Sequence, residues 1–344
     1  MKKILILVLV ALGFSAAAQN SVYQGVYSKQ GDLSKSPDAE YQLMPGKDVI
    51  VQKPFKHNPE RMARLGTYCD MFTSYQLGLT SYESLNEGSS ADLDAWGDAY
   101  CGKPRTSHEI CIDGSYADLS LEKLYPPDSP ILRQGVFSEI RRQLTAKGLY
   151  DRWPVYFRNS CEWMRRIRKF TFEKLRLSRR TVGYDFLGDI NTHWHTFGYS
   201  VGMMDEFYRM KPGETVENVL RYNAAAVLLC DLGNSFVFSA GETKRVAFTL
   251  SNFEATSKGG TLSLTLETPD GKSVASSEQK VGALLKGEVQ TLATWAVVFP
   301  ASAKPQKYWL KAVLNAGRVT AENRWETYAF PAPAKVDTTG VKVL

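Results

Sequence analysis

The segment KRVAFTLS, Lys244 to Ser251, alternates apolar and polar residues along its length. Val246, Phe248 and Leu250 therefore share one face of a β-strand, because successive side chains of a strand point to opposite sides. The same period of two recurs in three later segments: TLSLTLE (261–267), TWAVVF (294–299) and YWLKAVL (308–314). The alternation is least clean in YWLKAVL. These segments predict strands that each bury one face.

Turn signals separate these strands, and no helical period lies between them. PDGK (269–272) and NAGR (315–318) are both typical of tight turns between strands. In YWLKAVL the alternating set is Trp309, Lys311 and Val313. Closely spaced strands of this kind predict a two-sheet sandwich of immunoglobulin type.

The region before the sandwich mixes strand and helix patterns. Three segments predict strands: YCDMFTSY (68–75), KPRTSHEICI (103–112) and TVGYDFLGDI (181–190). Between the last two, Val136, Ile140 and Leu144 recur at helical spacing and Gly148 is a natural stop, while a second helix is predicted over 155–177. Long crossovers between strands imply that the strands are parallel.

The beginning of the chain resembles a secretory signal peptide. Lys2 and Lys3 precede an apolar run over 4–14, and Ala16-Ala17-Ala18 offers a cleavage site. The alternative is a buried N-terminal strand. Cleavage after Ala18 removes two lysines, so the formal charge of +6 becomes +4, and no later stretch approaches the roughly 18 apolar residues of a membrane helix. We therefore expect export to the periplasm or secretion.

Four regions follow from these patterns. Residues 1–18 form the signal peptide, and residues 19–65 are a polar segment to which we assign no fold. Residues 66–222 form the mixed α/β region, and residues 223–344 form the sandwich and a C-terminal tail. The 5 cysteines have no CxxC spacing and predict neither a disulfide scaffold nor a zinc site. Cys101 and Cys111 flank one loop and could pair after export.

Two histidines close the segment GYDFLGDINTHWH (183–195). His193 and His195 stand two positions apart, which on a strand places both on one face. A zinc ion would need further ligands, and Asp189 or Asp205 could supply them, but no known motif supports such a site. The alternative is a hydrogen-bonded surface loop, and we predict no metal or other cofactor.

Glu109 ends an apolar-flanked strand in SHEIC (107–111). In parallel α/β folds, catalytic side chains collect at the carboxyl ends of strands. The alternative is a lone carboxylate that is solvated or paired with Arg105.

Two further motifs carry weaker signals. The basic run MRRIRKFTFEKLRLSRR (164–180) could suggest nucleic-acid binding, but apolar residues occupy its other helical face, which favours a solvated helix surface and no nucleic-acid partner. Asn86-Glu87 matches a pair common in glycosidase sites, and as a dipeptide it is weak.

The order of these motifs resembles the C-terminal part of a secreted bacterial glycoside hydrolase family 2-like protein, of the β-galactosidase and β-glucuronidase group. The resemblance covers roughly residues 60–331, from KPRTSHEICIDGSY through TVGYDFLGDINTHWH and VGMMDEFYRMKPGE into the sandwich. It implies that these strands belong to a (β/α)8 barrel and that Glu109 is the catalytic nucleophile of a retaining glycosidase. It also implies a sugar pocket formed by His108, Asp189, His193, Trp194 and His195.

The chain departs from this family in its length. A complete barrel takes about 250 residues, and residues 19–222 are too few for one, so the resemblance implies a partial barrel in a truncated chain. The resemblance makes the three predicted strands the sixth, seventh and eighth of the barrel. The family's proton donor follows the fourth strand, whereas Asn86-Glu87 comes after the sixth, so we assign no proton donor. The alternatives to a hydrolase are a non-catalytic remnant or carbohydrate-binding protein, and a structural adhesion module. An unclosed barrel would expose a strand edge and favour a homo-oligomer.

Overall fold

A computed structural model describes the following residues of the chain: 50–52, 71–75, 94, 105–111, 114–127, 135–191, 200–232 and 236–331. Within them the fold is mixed α/β and consists mostly of strands. The chain divides into two compact units, residues 1–214 and residues 215–344. The described strands form open sheets, and no closed barrel occurs among them. No helix in the described ranges is long and apolar enough to cross a membrane.

The first unit contains a four-stranded sheet in which every neighbouring pair is parallel. Its strands, in sheet order, are β1 (Ile50–Gln52), β2 (Met71–Tyr75), β3 (Arg105–Ile110) and β4 (Thr181–Phe186). The three predicted strands and their parallel direction are confirmed. Each strand is shorter than the segment over which it was predicted. Strand β1 lies in the polar segment for which the sequence predicted no element.

Helices connect β3 to β4. A 3₁₀ helix (Leu119–Leu124) precedes helix α1 (Gly135–Ala146), and a second 3₁₀ turn (Tyr150–Arg152) leads into helix α2 (Trp153–Leu177). Both predicted helices are confirmed. Helix α1 stops just before Gly148, whose φ of 65° lies in the left-handed region that glycine adopts without a steric penalty.

The charged residues of α2 are less solvated than the sequence predicted. Arg168, Glu173, Lys174 and Arg176 are all buried, so the interpretation of this face as solvated is wrong for the last three turns. The helix approaches the sheet here, and an Arg or Lys side chain can bury its aliphatic stem against aromatic rings. The ammonium of Lys174 also lies 4.5 Å from the ring centroid of Phe170, in a cation–π contact.

The second unit begins with helix α3 (Val216–Asn223) and continues in two sheets. The three-stranded sheet has the order β10-β7-β5 and the five-stranded sheet the order β6-β12-β11-β8-β9. The bounds are β5 (Ala226–Asp231), β6 (Val237–Ser239), β7 (Thr243–Asn252), β8 (Gly260–Glu267), β9 (Ser273–Val281), β10 (Glu288–Val298), β11 (Gln306–Ala316) and β12 (Val319–Phe330). All pairs are antiparallel except β6 with β12.

One apolar core joins the two sheets. It includes Phe248 of β7, Leu264 of β8 and Trp325 of β12, and the rings of Phe248 and Trp325 meet edge to face with centroids 6.0 Å apart. Each such fully buried side chain stabilises the fold by about 1.5–3 kcal/mol. A shared core between two sheets is the arrangement that the alternating sequence predicted.

Strand β11 buries the opposite face from the one assigned to it. Tyr308, Leu310, Ala312 and Leu314 point into the core, and Trp309 faces outwards between two cations. The Lys307 ammonium and the Arg324 guanidinium lie 4.7 and 4.6 Å from its ring centroid. Trp309 is tolerated at this half-buried outer position because the faces of its ring attract the two cations.

Asn323 of β12 ties the two sheets together by a buried polar contact. Its side chain is fully buried, its Nδ2 donates to the carbonyl of Leu228 in β5 at 2.7 Å, and its Oδ1 accepts from the Arg324 backbone N–H. Removing one partner of a buried hydrogen bond leaves the other unsatisfied, at about 1–3 kcal/mol.

We therefore expect Asn323→Ala to lower the free energy of unfolding of the second unit by about 1–3 kcal/mol. The measurement is native-state hydrogen exchange in urea at the backbone amides of β5 and β12, which report on the second unit. Asn315→Ala, at an exposed position of β11, is the matched control and should change it by less than about 0.5 kcal/mol. Equal losses in both variants would contradict a specific tie between the sheets.

Candidate functional site

The carboxyl ends of β3 and β4 lie side by side in the parallel sheet. Ile110 is paired with Phe186, so the two strands end at the same level. Glu109 is the penultimate residue of β3, while the side chains of His108 and Glu109 lie outside the described residues, as does that of Arg105. The predicted catalytic residue therefore belongs to a strand whose end adjoins that of β4.

The segment after β4 contains the other predicted site residues. His193, Trp194 and His195 lie outside the described residues, as do Asn86-Glu87, Cys101 and the signal peptide. Asp189 is exposed, and its carboxylate accepts a hydrogen bond from the adjacent Ile190 N–H at 2.9 Å. The Asp189 carbonyl accepts from the Met204 N–H at 2.9 Å, so its backbone is held while its side chain is exposed.

The Asp205 carboxylate stabilises the turn that begins at this residue. Its Oδ1 accepts from the N–H groups of Phe207 and Arg209 at 2.8 and 3.1 Å, and its Oδ2 accepts from Arg209 Nε at 2.7 Å. Both oxygens thus have donors, which does not suit the metal-ligand role considered for this residue. No group of three or more metal-binding side chains occurs in the described part of the chain.

A buried lysine connects the segments that follow the two strands. Lys211 is only 4% exposed, and its Nζ donates to Ser115 Oγ at 2.9 Å and to the Ser200 carbonyl at 2.8 Å. The same carbonyl accepts from the Ser115 N–H at 2.9 Å and from Ser115 Oγ at 3.3 Å. Ser115 follows β3 and Ser200 follows β4, so we call these three residues the Lys211 clamp.

No sequence pattern predicted the Lys211 clamp. Lys211 stands in the quoted segment VGMMDEFYRMKPGE, but nothing local to that segment indicates that its lysine is buried. Its partners lie 96 and 11 positions away. Only a contact between distant parts of the chain could have identified it.

Burial lowers the pKa of Lys211 to about 8, and the positive charge of Arg168 acts in the same direction. Cys161, Glu206 and Asp205 favour the charged form and partly oppose this. Burial also raises the pKa of the Cys161 thiol to about 11, although the Lys211 charge lowers it. Both shifts have the same cause, since a low-dielectric site disfavours whichever form is charged.

A pH-dependent stability follows from the lowered pKa of Lys211. Between about pH 8 and the ordinary lysine value near 10.4 the unfolded chain binds more protons than the folded chain, so folding becomes more favourable as pH rises. We expect the free energy of unfolding to increase across this window by up to about 1.4 kcal/mol per pH unit, relative to Lys211→Met. Urea unfolding at several pH values tests this, and parallel curves for the two proteins would contradict it.

A second set of contacts holds the beginning of the segment after β4. Asn191 Nδ2 donates to Glu206 Oε2 at 2.9 Å, and Tyr125 OH donates to Glu206 Oε1 at 2.6 Å. Asn191 Oδ1 accepts from the Gly202 N–H at 3.2 Å, and a Cβ at Gly202 would collide with the backbone nitrogen of Asn191. Burial, followed by the hydrogen bond to Glu206, raises the pKa of Tyr125.

Arg168 and Glu214 form a buried ion pair near the end of β4. Their side chains are 0% and 1% exposed, and the Arg168 guanidinium carbon lies 5.3 Å from the ring centroid of Phe186, at the end of β4. Cys111, just after β3, donates through Sγ to the Arg168 carbonyl at 3.9 Å. Arg168 Nε and Nη2 have no hydrogen-bond partner within the described ranges.

No protein-family model and no curated protein matches the sequence. Among solved structures, the chain has distant similarity to a calcium-binding mutant of Bacteroides uniformis β-glucuronidase 2, with a TM-score of 0.30, 15% identity, and coverage of 86% of this chain and 30% of that chain. It is similar to Amycolatopsis orientalis exo-chitosanase CsxA with a TM-score of 0.37, 12% identity, and coverage of 83% and 40%.

A shorter match concerns a Paenibacillus cycloisomaltooligosaccharide glucanotransferase. It has a TM-score of 0.24 and 14% identity, and covers 29% of this chain and 13% of that chain. The chain thus spans well under two thirds of the length of these three proteins. The similarity to glycosidase chains is weak and assigns no family.

Proposed function

We propose that the protein is an exported glycoside hydrolase that cleaves O-glycosidic bonds of a polysaccharide or oligosaccharide with retention of configuration. Glu109 is the proposed nucleophile. His108, Asp189, His193, Trp194 and His195 are the proposed sugar-binding residues. The motif order described above supports this proposal, and its parallel strands are proposed to form part of a (β/α)8 barrel.

The observation that carries the proposal is the parallel pairing of β3 with β4, with Ile110 opposite Phe186. Side chains from the ends of adjacent parallel strands converge at one edge of a sheet, where α/β enzymes bind their substrates. Glu109 and the segment that follows Phe186 therefore belong to the same edge. A carboxylate is the residue type that a retaining glycosidase uses as its nucleophile.

The residue types suit a carbohydrate. A tryptophan offers a flat apolar surface to one face of a pyranose ring, and histidine and aspartate can bind its hydroxyl groups. A retaining enzyme also needs a second carboxyl group about 5–5.5 Å from the nucleophile to protonate the leaving oxygen. Asp205 and Glu206 are the first carboxylates after the segment that follows β4 and ends at Ser200, and both accept hydrogen bonds on both oxygens.

This last observation favours the second candidate function, a carbohydrate-binding protein without hydrolytic activity. Both oxygens of each carboxylate already accept from neighbouring donors, so neither residue offers an oxygen free of contacts to the leaving oxygen of a glycoside. The two functions share the sugar-binding edge and differ only in turnover. The absence of hydrolysis together with measurable sugar binding by calorimetry would favour the second.

The test is a panel of nitrophenyl glycosides offered to the purified protein. Release of nitrophenol from one of them supports the hydrolase, and the anomer formed first, seen by NMR, tests retention. No release from any member of the panel would exclude this activity for the sugars tested. Amino-terminal sequencing of the protein recovered from the periplasm or medium of a bacterial host tests export and cleavage after Ala18.

A further inference from the structure

A short hairpin carries the most exposed large hydrophobic side chain of the described residues. Tyr208 is 74% exposed and lies in the turn formed by residues 205–209, which we call the Asp205 turn. Met204 and Met210 pair across the base of this turn as an antiparallel bridge, and Met210 is exposed as well. The hairpin therefore presents an aromatic ring to solvent beside an exposed thioether side chain.

Backbone hydrogen bonds attach this hairpin to the chain just after β4. The Met203 N–H donates to the Gly188 carbonyl at 2.7 Å, and the Met204 N–H donates to the Asp189 carbonyl at 2.9 Å. Both acceptors come within three positions of the end of β4. The hairpin thus lies at the carboxyl edge of the parallel sheet, where α/β enzymes bind their substrates.

The backbone of Tyr208 has an unfavourable conformation. Its φ of 61° lies in the left-handed region, which makes it a steric outlier for a bulky residue. Among the described residues one other non-glycine residue has a positive φ, Cys111 with 60°, directly after β3. Such outliers cluster at functional sites, where the surrounding structure maintains them. The two outliers therefore accompany the carboxyl ends of two adjacent strands.

Hydrogen bonds and ring packing hold the Asp205 turn in this conformation. The Tyr208 N–H donates to the Asp205 carbonyl at 3.0 Å, and the Asp205 N–H donates to the Arg209 carbonyl at 2.9 Å. The Asp205 carboxylate adds the three contacts described above. The Phe207 ring meets that of Tyr125 edge to face, with centroids 5.0 Å apart. Because the turn is held without a ligand, binding through Tyr208 costs little conformational entropy.

We propose that Tyr208 forms an outer sugar-binding subsite, in which its ring stacks on one pyranose unit of an oligosaccharide bound along the carboxyl edge of the sheet. This subsite rests on the proposed function for its ligand class, but it requires no hydrolysis. A tyrosine offers a flat amphipathic surface with few rotatable bonds. The half-exposed guanidinium of Arg209 pairs with Asp205 through Nε, and its terminal nitrogens can donate to sugar hydroxyl groups.

The size of the exposed surface favours a sugar over a folded protein partner. A stable protein interface covers about 800 Å² on each partner, whereas one tyrosine side chain offers at most about 250 Å². On the hairpin, the exposed apolar surface consists of Tyr208 and Met210. A surface of that extent matches one sugar ring.

Calorimetry with defined oligosaccharides tests the subsite. The probes are hexasaccharides of β-linked glucose, xylose, mannose and N-acetylglucosamine, titrated into Glu109→Gln so that hydrolysis does not consume them. For the best of these probes we expect Tyr208→Asn, added to this background, to raise Kd about tenfold. Tyr208→Phe keeps the ring and should change Kd less than about twofold, as should Tyr150→Asn, which removes an exposed tyrosine before α2.

The melting temperature provides a second readout, which a merely structural tyrosine would move in the opposite direction. Asparagine adopts the left-handed conformation more readily than tyrosine, so Tyr208→Asn should keep the Tm of the first unit or raise it by up to about 4 °C. A lowered Tm would contradict the view that this conformation is maintained for binding. If Tyr208→Asn does not fold, Tyr208→Gly takes its place, because glycine has no steric penalty at this φ.

The outcomes separate the subsite from the proposed hydrolase. The subsite is overturned if no hexasaccharide binds, or if Tyr208→Asn binds as tightly as its parent. If the wild-type protein hydrolyses no glycoside but binds a hexasaccharide through Tyr208, the hydrolase fails and the subsite stands. With an aryl monosaccharide substrate, Tyr208→Asn should change KM less than about twofold, since such a ligand does not reach an outer subsite. A tenfold rise in that KM would overturn the outer position.

Discussion

Glu109→Gln is expected to abolish the hydrolysis of aryl glycosides, with a loss of at least about 10⁴-fold in kcat, in the range that removal of a catalytic nucleophile causes in other enzymes. Glutamine has nearly the shape of glutamate, so the strand and its pairing with β4 should persist. It lacks the negative charge that attacks the anomeric carbon, and no glycosyl-enzyme intermediate can form. The measurement is the initial rate with the best substrate of the panel.

A matched control separates this effect from a general loss of charge. Glu139→Gln removes a carboxylate from the exposed face of α1, where it pairs with Arg142, and should leave the rate unchanged. The free energy of unfolding should stay within about 0.5 kcal/mol of the wild-type value for Glu109→Gln as well. Unchanged turnover in Glu109→Gln would exclude Glu109 as the nucleophile and with it the present form of the proposal.

Arg168→Met is expected to lower the free energy of unfolding of the first unit by about 3–5 kcal/mol. The substitution leaves the Glu214 carboxylate buried without its counter-ion, and a buried unpaired charge is strongly unfavourable. Helix α2 also loses the guanidinium that packs on Phe186, at the end of β4. Urea unfolding followed by circular dichroism at the helix band reports on this unit, because the two long helices α1 and α2 belong to it.

Arg166→Met is the control, two positions away on the same helix. Its side chain is 42% exposed and pairs with Glu162 at the surface, so its loss should cost less than about 1 kcal/mol. Combining Arg168→Met with Glu214→Leu removes both charges, and this double variant should be more stable than either single variant. A double variant that loses the sum of the two single effects would contradict the coupling between Arg168 and Glu214.

The sandwich strands could be predicted from local pattern because burial of one strand face appears directly as alternation. Val246, Phe248 and Leu250 alternate in the sequence and are all buried in the structure. Strand β11 was assigned the wrong face because it is apolar on both sides, with Leu310 inward and Trp309 covered by two cations. Strand β5, AVLLCD, is an unbroken apolar run without alternation, and such a run fits a strand and a buried helix equally well.

The candidate site could be predicted less completely than the sandwich strands. Residue types and their order pointed to Glu109 and to the segment after β4, and the parallel direction of β3 and β4 is confirmed. The solvated interpretation of α2 failed at Arg168, since its burial depends on Glu214, 46 positions along the chain. A charge pattern shows which helix face is polar, but it does not show what packs against that face.

From its residue pattern alone, this chain specifies alternating strands and two amphipathic helices, because each depends on neighbours a few positions apart. The long helical crossover between β3 and β4 also implies that these strands are parallel. Folding in three dimensions alone brings Lys211 to Ser115 and Ser200, and Arg168 to Glu214. Burial of those charges depends on which distant oxygen atoms replace water around them. The physical reason is that the period of a strand or helix is a local property, whereas the desolvation of a charge is a property of the whole fold.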